Sequence, residues 1–166
     1  ATSRPGFFDG VGTVVTKLLI QALPDLAIFG EKDYQQLLVI KRLTRDLDIP
    51  AKIIGAPTIR EADGLAVSSR NVFLSKANRE TASKVFEILK KTATAISLGN
   101  DVLAACKEAR TELILAGFSE IDYFEARHSE TLELIQNFEN NGRLFAAVWL
   151  GSTRLIDNLE IKEYTD

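Results

Sequence analysis

Two short apolar runs, DLAIFG at 25–30 and AKIIGAP at 51–57, flank an amphipathic stretch, and this pattern constrains the fold more than any other. Between them, EKDYQQLLVIKRLTRDLD places Tyr34, Leu37, Leu38, Leu43 and Leu47 at helical intervals, with Lys41, Arg42 and Arg45 on the other face. Gly30 closes the first run, which reads as a buried strand, and Pro57 stops the second. Strand, helix and strand with tight connections form a βαβ unit, which implies parallel strands and a right-handed crossover. Parallel sheets need cover on both faces, and one crossover helix cannot supply it. Residues 1–57 therefore read as half of a larger domain. The absence of methionine, even at position 1, agrees with a chain that is a piece of something longer.

Upstream, VGTVVTKLLIQA (11–22) has helix-like spacing of Val11, Val14, Val15, Leu18 and Leu19, ended by Pro24. Downstream, residues 58–75 lack a sustained period. Ser75 then reads as the N-cap of a long helix to about Leu98, with Ala82, Val85, Phe86, Leu89, Ala93 and Ile96 on its apolar face. Gly99-Asn100-Asp101 restarts a helix carrying Leu103, Cys106 and Leu113 on one face and closed by Gly117. Three strand candidates follow: IDYFEA (121–126), LFAAVWL (144–150) and TRLIDNLEI (153–161). The expected fold class is α/β: the tail of a Rossmann-like domain over 1–58, then a small α+β domain with an antiparallel sheet over 59–166.

Composition removes several function classes. The 166 residues carry 20 basic and 23 acidic side chains, a net charge of −3, with the signs interspersed. That argues against nucleic-acid binding, which rests on Lys and Arg neutralising phosphates. No apolar run approaches a membrane span, and ATSRPGFFDG lacks the pattern of a signal peptide. The single Cys106 cannot form an internal disulfide, which fits a reducing cytoplasm.

Ligands of open parallel sheets bind at the carboxyl ends of strands, beside helix N-termini. There Gly30 lets a ligand approach the backbone, Lys32 can meet a phosphate, and Asp33 can either accept from a ribose hydroxyl or simply cap the helix. Gln35 and Gln36 offer both donors and acceptors to a small hydroxy acid. From the second strand end, Arg60, Gly64, Ser68, Ser69 and Arg70 supply charge, a backbone hinge and hydroxyls. These make either a triphosphate cradle or a polar loop before a helix. His128 reads as a turn histidine, and Cys106 and Trp149 as core. No metal-ligand cluster, nucleophile triad or glycine-rich phosphate loop of standard spacing is present.

Taken together, RPGFFDGVGTVVTKLL, PDLAIFGEKDYQQLLVIKRLTRDL, PTIREADGLAVSSRNVFLS and AAVWLGSTRLIDN strongly resemble the pantoate–β-alanine ligase (pantothenate synthetase) family. The order and spacing agree over essentially the whole chain. The resemblance implies a nucleotidyltransferase-type ligase that joins pantoate to β-alanine with ATP through a pantoyl-adenylate, releasing AMP and pyrophosphate. It assigns Lys32 to the ATP phosphates, Gly30 and Asp33 to the ribose, Gln36 to pantoate, and the backbone near Ile59 to adenine. Val67 would keep apolar contact with the nucleotide, and Ser68, Ser69 and Arg70 would form the phosphate-binding loop. Lys32, Ser68 and Arg70 are the catalytic candidates, with magnesium held mainly by the phosphates and no protein metal site. A cytoplasmic homodimer with no membrane or nucleic-acid partner is implied. Phe7 stands where the family usually has histidine, and Val67 where methionine often precedes the serines. The family's His-x-Gly-His signature lies in its amino-terminal half and is not in this sequence, so the expectation is a carboxy-terminal part that is inactive alone. The alternatives are a non-catalytic folding or association module, and another adenylate-forming nucleotidyltransferase.

Overall fold

β1 (Leu26–Gly30) and β2 (Lys52–Ala56) pair in parallel, with Leu26 opposite Lys52 and Gly30 opposite Ala56. This is seen in a computed structural model of the chain, which describes residues 6–138 and 140–163. The connection is a 3-10 turn (Glu31–Asp33) and α2 (Tyr34–Asp46), so the expected βαβ crossover is present. Ahead of it, α1 (Phe7–Ala22) packs on α2, where Gly12 lies close to Leu43. The helix begins earlier than the apolar spacing alone suggests, at Gly6 with φ +74°, and ends at Leu23 in the left-handed region before Pro24. The Arg-Pro of the amino-terminal motif lies outside the described residues.

Residues Ala1–Thr58 form one compact unit and Ile59–Asp166 another. In the first, Leu37 and Ile40 of α2 are buried, as helix-to-sheet packing requires. The first strand is not buried in the way its composition suggests: Leu26 is 55% exposed and Ile28 67%. Exposure alternates along β1, with Leu26, Ile28 and Gly30 on the open face and Ala27 and Phe29 on the partly covered one.

The second unit stacks helices on a three-stranded antiparallel sheet of order β3-β4-β5. β3 (Glu120–His128), β4 (Gly142–Leu150) and β5 (Thr153–Ile161) pair along most of their lengths. Leu144, Ala146 and Val148 face the helices beside Phe124, Ala126, Leu155 and Ile161. The expected long helix is two: α3 (Lys76–Ala82), capped by Ser75 Oγ accepting from the Asn78 N–H, and α4 (Lys84–Ser97). They break at Ser83 without losing the apolar phase, because Ala82, Val85, Ile88, Leu89, Ala93 and Ile96 all enter the core. Asp101 caps α5 (Val102–Leu115) by accepting from the Ala104 N–H. Cys106 and Leu113 of α5 are buried, whereas Leu103 is exposed, which corrects the expected face. Trp149 is also no core residue. It points to the sheet face away from the helices, where its indole donates to Asp122 Oδ1 at 2.8 Å beside an Arg154–Asp122 ion pair.

Among the described residues no helix is long and apolar enough to cross a membrane. Burial pushes the Cys106 thiol up to about 11, so the thiolate is scarce at neutral pH. Iodoacetamide at about pH 8 should therefore label native Cys106 at least roughly a hundredfold more slowly than the urea-unfolded chain. Equal labelling rates would show that the thiol is not in the core.

Candidate nucleotide-binding site

In the first unit the candidate residues gather where β1 ends. Gly30 has ordinary extended geometry (φ −69°, ψ 133°), and a Cβ there would meet nothing within 4 Å. Neither backbone strain nor local packing requires glycine, so what its small size provides is open access to the strand end. Lys32 is half-buried in the 3-10 turn. Asp33 occupies the N-cap position of α2 but makes no side-chain cap hydrogen bond, and it is exposed. The capping role left open by the sequence is thus absent, and the carboxylate is presented to solvent. Gln36 sits half-buried in the first turn of α2. A glycine that sequence reasoning did not single out sets this turn against the sheet: a Cβ on Gly55 would come within 2.9 Å of Leu37 and 3.0 Å of Glu31 Oε1.

In the second unit, residues 59–67 fold back on themselves as a short arm. The Val67 N–H donates to Ile59 O at 2.9 Å, the Glu61 N–H to Leu65 O at 2.9 Å, and Arg60 bridges Ala66 in antiparallel fashion. Ile59 and Val67, at the open end, are both exposed. A 3-10 turn (Ser69–Phe73) follows, capped by Ser68, whose Oγ accepts from the Arg70 N–H at 3.2 Å. The Ser68 hydroxyl keeps its proton to donate elsewhere. Ser69 is exposed, and Arg70 differs from every other arginine among the described residues in having a guanidinium with no hydrogen-bond or ion-pair partner.

Two ties brace the arm from the following turn and helix. Asn71 Nδ2 donates to Ala66 O at 3.1 Å and to Glu61 Oε1 at 3.3 Å. Arg79 of α3 reaches Glu61 Oε2 and Asp63 Oδ2, each at 2.6 Å. Hydrogen bonds from Arg79 and from the Leu65 N–H hold the Asp63 carboxyl below its ordinary value.

Two expectations for this loop are corrected. Gly64 is no hinge: it has φ +93°, and a Cβ there would lie 2.7 Å from the Phe86 ring. Arg60 does not charge a phosphate cradle, because its guanidinium is spent on Asp157 at 2.6 and 2.9 Å. His128 is not in a turn as expected: it is the last residue of β3, opposite Gly142, and its Nδ1 accepts from the Glu130 and Thr131 N–H groups of the turn that follows. Among the described residues no group of three or more His, Cys, Asp or Glu could hold a metal ion.

The structure thus brings Gly30, Lys32, Asp33 and Gln36 together in one unit, and Ile59, Val67, Ser68, Ser69 and Arg70 in the other. A parallel βαβ unit with a polar turn at its strand end, followed by an α+β unit with an antiparallel sheet, is the architecture of a Rossmann-like nucleotidyltransferase. Residues 1–160 match the family described as Pantoate-beta-alanine ligase, and the chain belongs to that family.

The pantothenate synthetase of Mesorhizobium japonicum is 55% identical over 158 residues, which is 95% of this chain and 56% of that protein. The one from Caulobacter vibrioides is 49% identical over 162 residues, covering 96% and 57% respectively. The chain therefore spans about half the length of the curated relatives it matches. A crystal structure of pantothenate synthetase from Thermus thermophilus superimposes with a TM-score of 0.92 at 41% identity, covering 96% of this chain and 58% of that one. A pantoate-beta-alanine ligase from Francisella tularensis, complexed with beta-gamma ATP and beta-alanine, gives a TM-score of 0.74 at 37% identity, with 96% and 52% covered.

The Asp63–Arg79 brace contributes above the ordinary aspartate value of 3.8 and is lost as pH falls through the lowered one. Intrinsic-rate-corrected amide exchange at Leu65, whose N–H donates to Asp63 Oδ1, should stay protected from about pH 7 to about pH 4 and weaken below. Asp63→Asn should abolish that acid step. An identical step in the variant would refute the assignment.

Proposed function

We propose that this chain forms part of a ligase that condenses pantoate with β-alanine at the expense of ATP. The observation that carries this reading is the uncommitted Arg70 guanidinium on a backbone turn already ordered by Ser68, in a chain matched to the ligase family over residues 1–160. Beside it, Ser68 and Ser69 supply hydroxyl donors. In the other unit, Lys32 meets phosphate, Gly30 and Asp33 hold the ribose, and Gln36 holds pantoate. The backbone at Ile59 and the Val67 side chain flank adenine.

The first step is attack of a pantoate carboxylate oxygen on the α-phosphorus of ATP, breaking the bond to the bridging oxygen and expelling pyrophosphate. Negative charge builds on the leaving phosphates, and Lys32, Arg70 and the serine hydroxyls have the charge and the donors to stabilise it. The amine nitrogen of β-alanine then attacks the acyl carbon of the mixed anhydride. An amide forms, AMP leaves, and the nitrogen loses a proton. That second step rests on orientation and exclusion of water more than on a catalytic base. Magnesium would be held mainly by the triphosphate, and no step is assigned to it. The 166-residue chain taken alone is proposed not to form pantothenate, because the family's His-x-Gly-His signature is not within it.

In the intact enzyme carrying this chain, Lys32→Ala and Arg70→Ala should each lower pantoate-dependent ATP–pyrophosphate exchange by about a hundredfold or more, with thermal unfolding little changed. Arg70→Lys should recover part of the loss, since it keeps the charge but not the planar fork. Unchanged exchange in both alanine variants would overturn the site assignment.

A further inference from the structure

Arg60 ties several parts of the second unit together. Nη1 donates to Asp157 Oδ2 at 2.6 Å and to Gly64 O at 3.1 Å. Nη2 donates to Asp157 Oδ1 at 2.9 Å and reaches Asn158 O at 3.5 Å. The guanidinium carbon sits 3.6 Å from the centroid of the Phe86 ring. The pair is largely sealed from solvent, with side-chain exposures of 16% for Arg60 and 6% for Asp157. Asp157 Oδ1 also accepts from the Asn158 N–H at 2.8 Å.

These contacts join three things: β5 through Asp157 and Asn158, α4 through Phe86, and the tip of the arm through Gly64. The arm is a two-sided turn tied at its base by Val67 to Ile59, and Ser68 follows directly. Fixing Arg60 on the sheet therefore fixes where the Ser68–Arg70 turn starts. The fit admits little slack, because a Cβ at Gly64 would collide with Phe86. Arg60 itself has four N–H groups directed at protein acceptors and is no phosphate ligand.

We propose that Arg60, clamped by Asp157 and stacked on Phe86, is a positioning residue for adenylation, holding the Ser68–Ser69–Arg70 turn in register for ATP. This rests on the reading of that turn as a nucleotide contact. A merely structural ion pair would affect melting and leave the turn's catalytic contribution intact. A positioning pair makes the Arg70 contribution conditional on Arg60.

The test is a double-mutant cycle on the intact enzyme. Pantoate-dependent ATP–pyrophosphate exchange is followed as kcat and as KM for ATP, with thermal unfolding in parallel. Arg60→Lys keeps the charge but cannot hold Asp157, Gly64 and Asn158 together. It should lower kcat/KM for ATP roughly ten- to a hundredfold, by raising KM and lowering kcat together. In an Arg70→Ala background the same substitution should cost only about two- to threefold, since the turn has by then lost the group being aimed. Phe86→Leu keeps the core apolar but removes the ring under the guanidinium, and it should shift kcat/KM in the same direction by several-fold. It reads out the proposal if Arg60→Lys does not fold. Normal exchange in Arg70→Ala would overturn the nucleotide reading and this proposal with it. A large loss in Arg70→Ala, with Arg60→Lys and Phe86→Leu either silent or additive to it, would overturn this proposal alone.

Discussion

A carboxylate on the helix-facing side of β5 sets much of the second unit. Asp157 shares that side with Leu155, Leu159 and Ile161 and sits opposite Ala146, among residues that make up the core. An ionised carboxylate there costs several kcal/mol unless a cation and further donors meet it. Arg60 and the Asn158 N–H meet it, and Arg60 lies 97 residues away in sequence. The chain at 59–67 must return to the sheet to neutralise Asp157, and the 3-10 turn that follows is placed as a result. A buried pair of this kind adds little net stability over an apolar replacement. What it supplies is a single answer to where an otherwise irregular loop belongs.

The regular elements were legible because apolar periodicity reports burial. β2, α2, α4, α5 and the three carboxy-terminal strands form where their patterns place them, although α5 turns Leu103 to solvent. The failures have physical causes. The Ser83 break was invisible because α3 and α4 keep one apolar phase across it. Phe86 fits the apolar spacing of α4, but its ring carries the Arg60 and Lys90 cations, which periodicity cannot distinguish from core. Trp149 looked buried inside a continuous apolar run, yet strand alternation turns it to the side of Asp122 and Arg154. For the candidate site, residue types and strand-end positions were readable, whereas the state of each side chain was not. Asp33 could have been a cap until the missing cap bond decided it, and Arg60 could have faced a phosphate until Asp157 claimed it.

The first unit shows the reverse imbalance. Leu26 and Ile28 of β1, with Val14, Leu18 and Ile20 of α1, leave large apolar side chains in water. These side chains are 53–67% exposed, so each forgoes roughly 1–2 kcal/mol relative to full burial. Among the described residues of this unit, two parallel strands and two helices do not provide the second layer that a parallel sheet uses to cover both faces. The polar turn Glu31–Asp33 is nevertheless complete, because it depends on local geometry: Gly55 lets Leu37 and Glu31 close onto β2 without any further strand.

On the proposed reading, Arg60 and Arg70, ten residues apart, would divide two tasks that one arginine could not perform together. A transition state that gathers charge on leaving phosphates is best stabilised by groups already in place, so that little reorganisation accompanies the reaction. The backbone carrying those groups must be rigid, while the cation itself must have donors to spare. Arg60 meets the first need by directing its donors at Asp157, Gly64 and Asn158. Arg70 meets the second, with its backbone N–H fixed by Ser68 and its guanidinium uncommitted. Ordering that one side chain on a ligand costs up to about 2 kcal/mol of rotamer freedom, whereas ordering the loop beneath it would add about 1–2 kcal/mol for each residue fixed. The buried pair removes the larger of these costs before any ligand arrives.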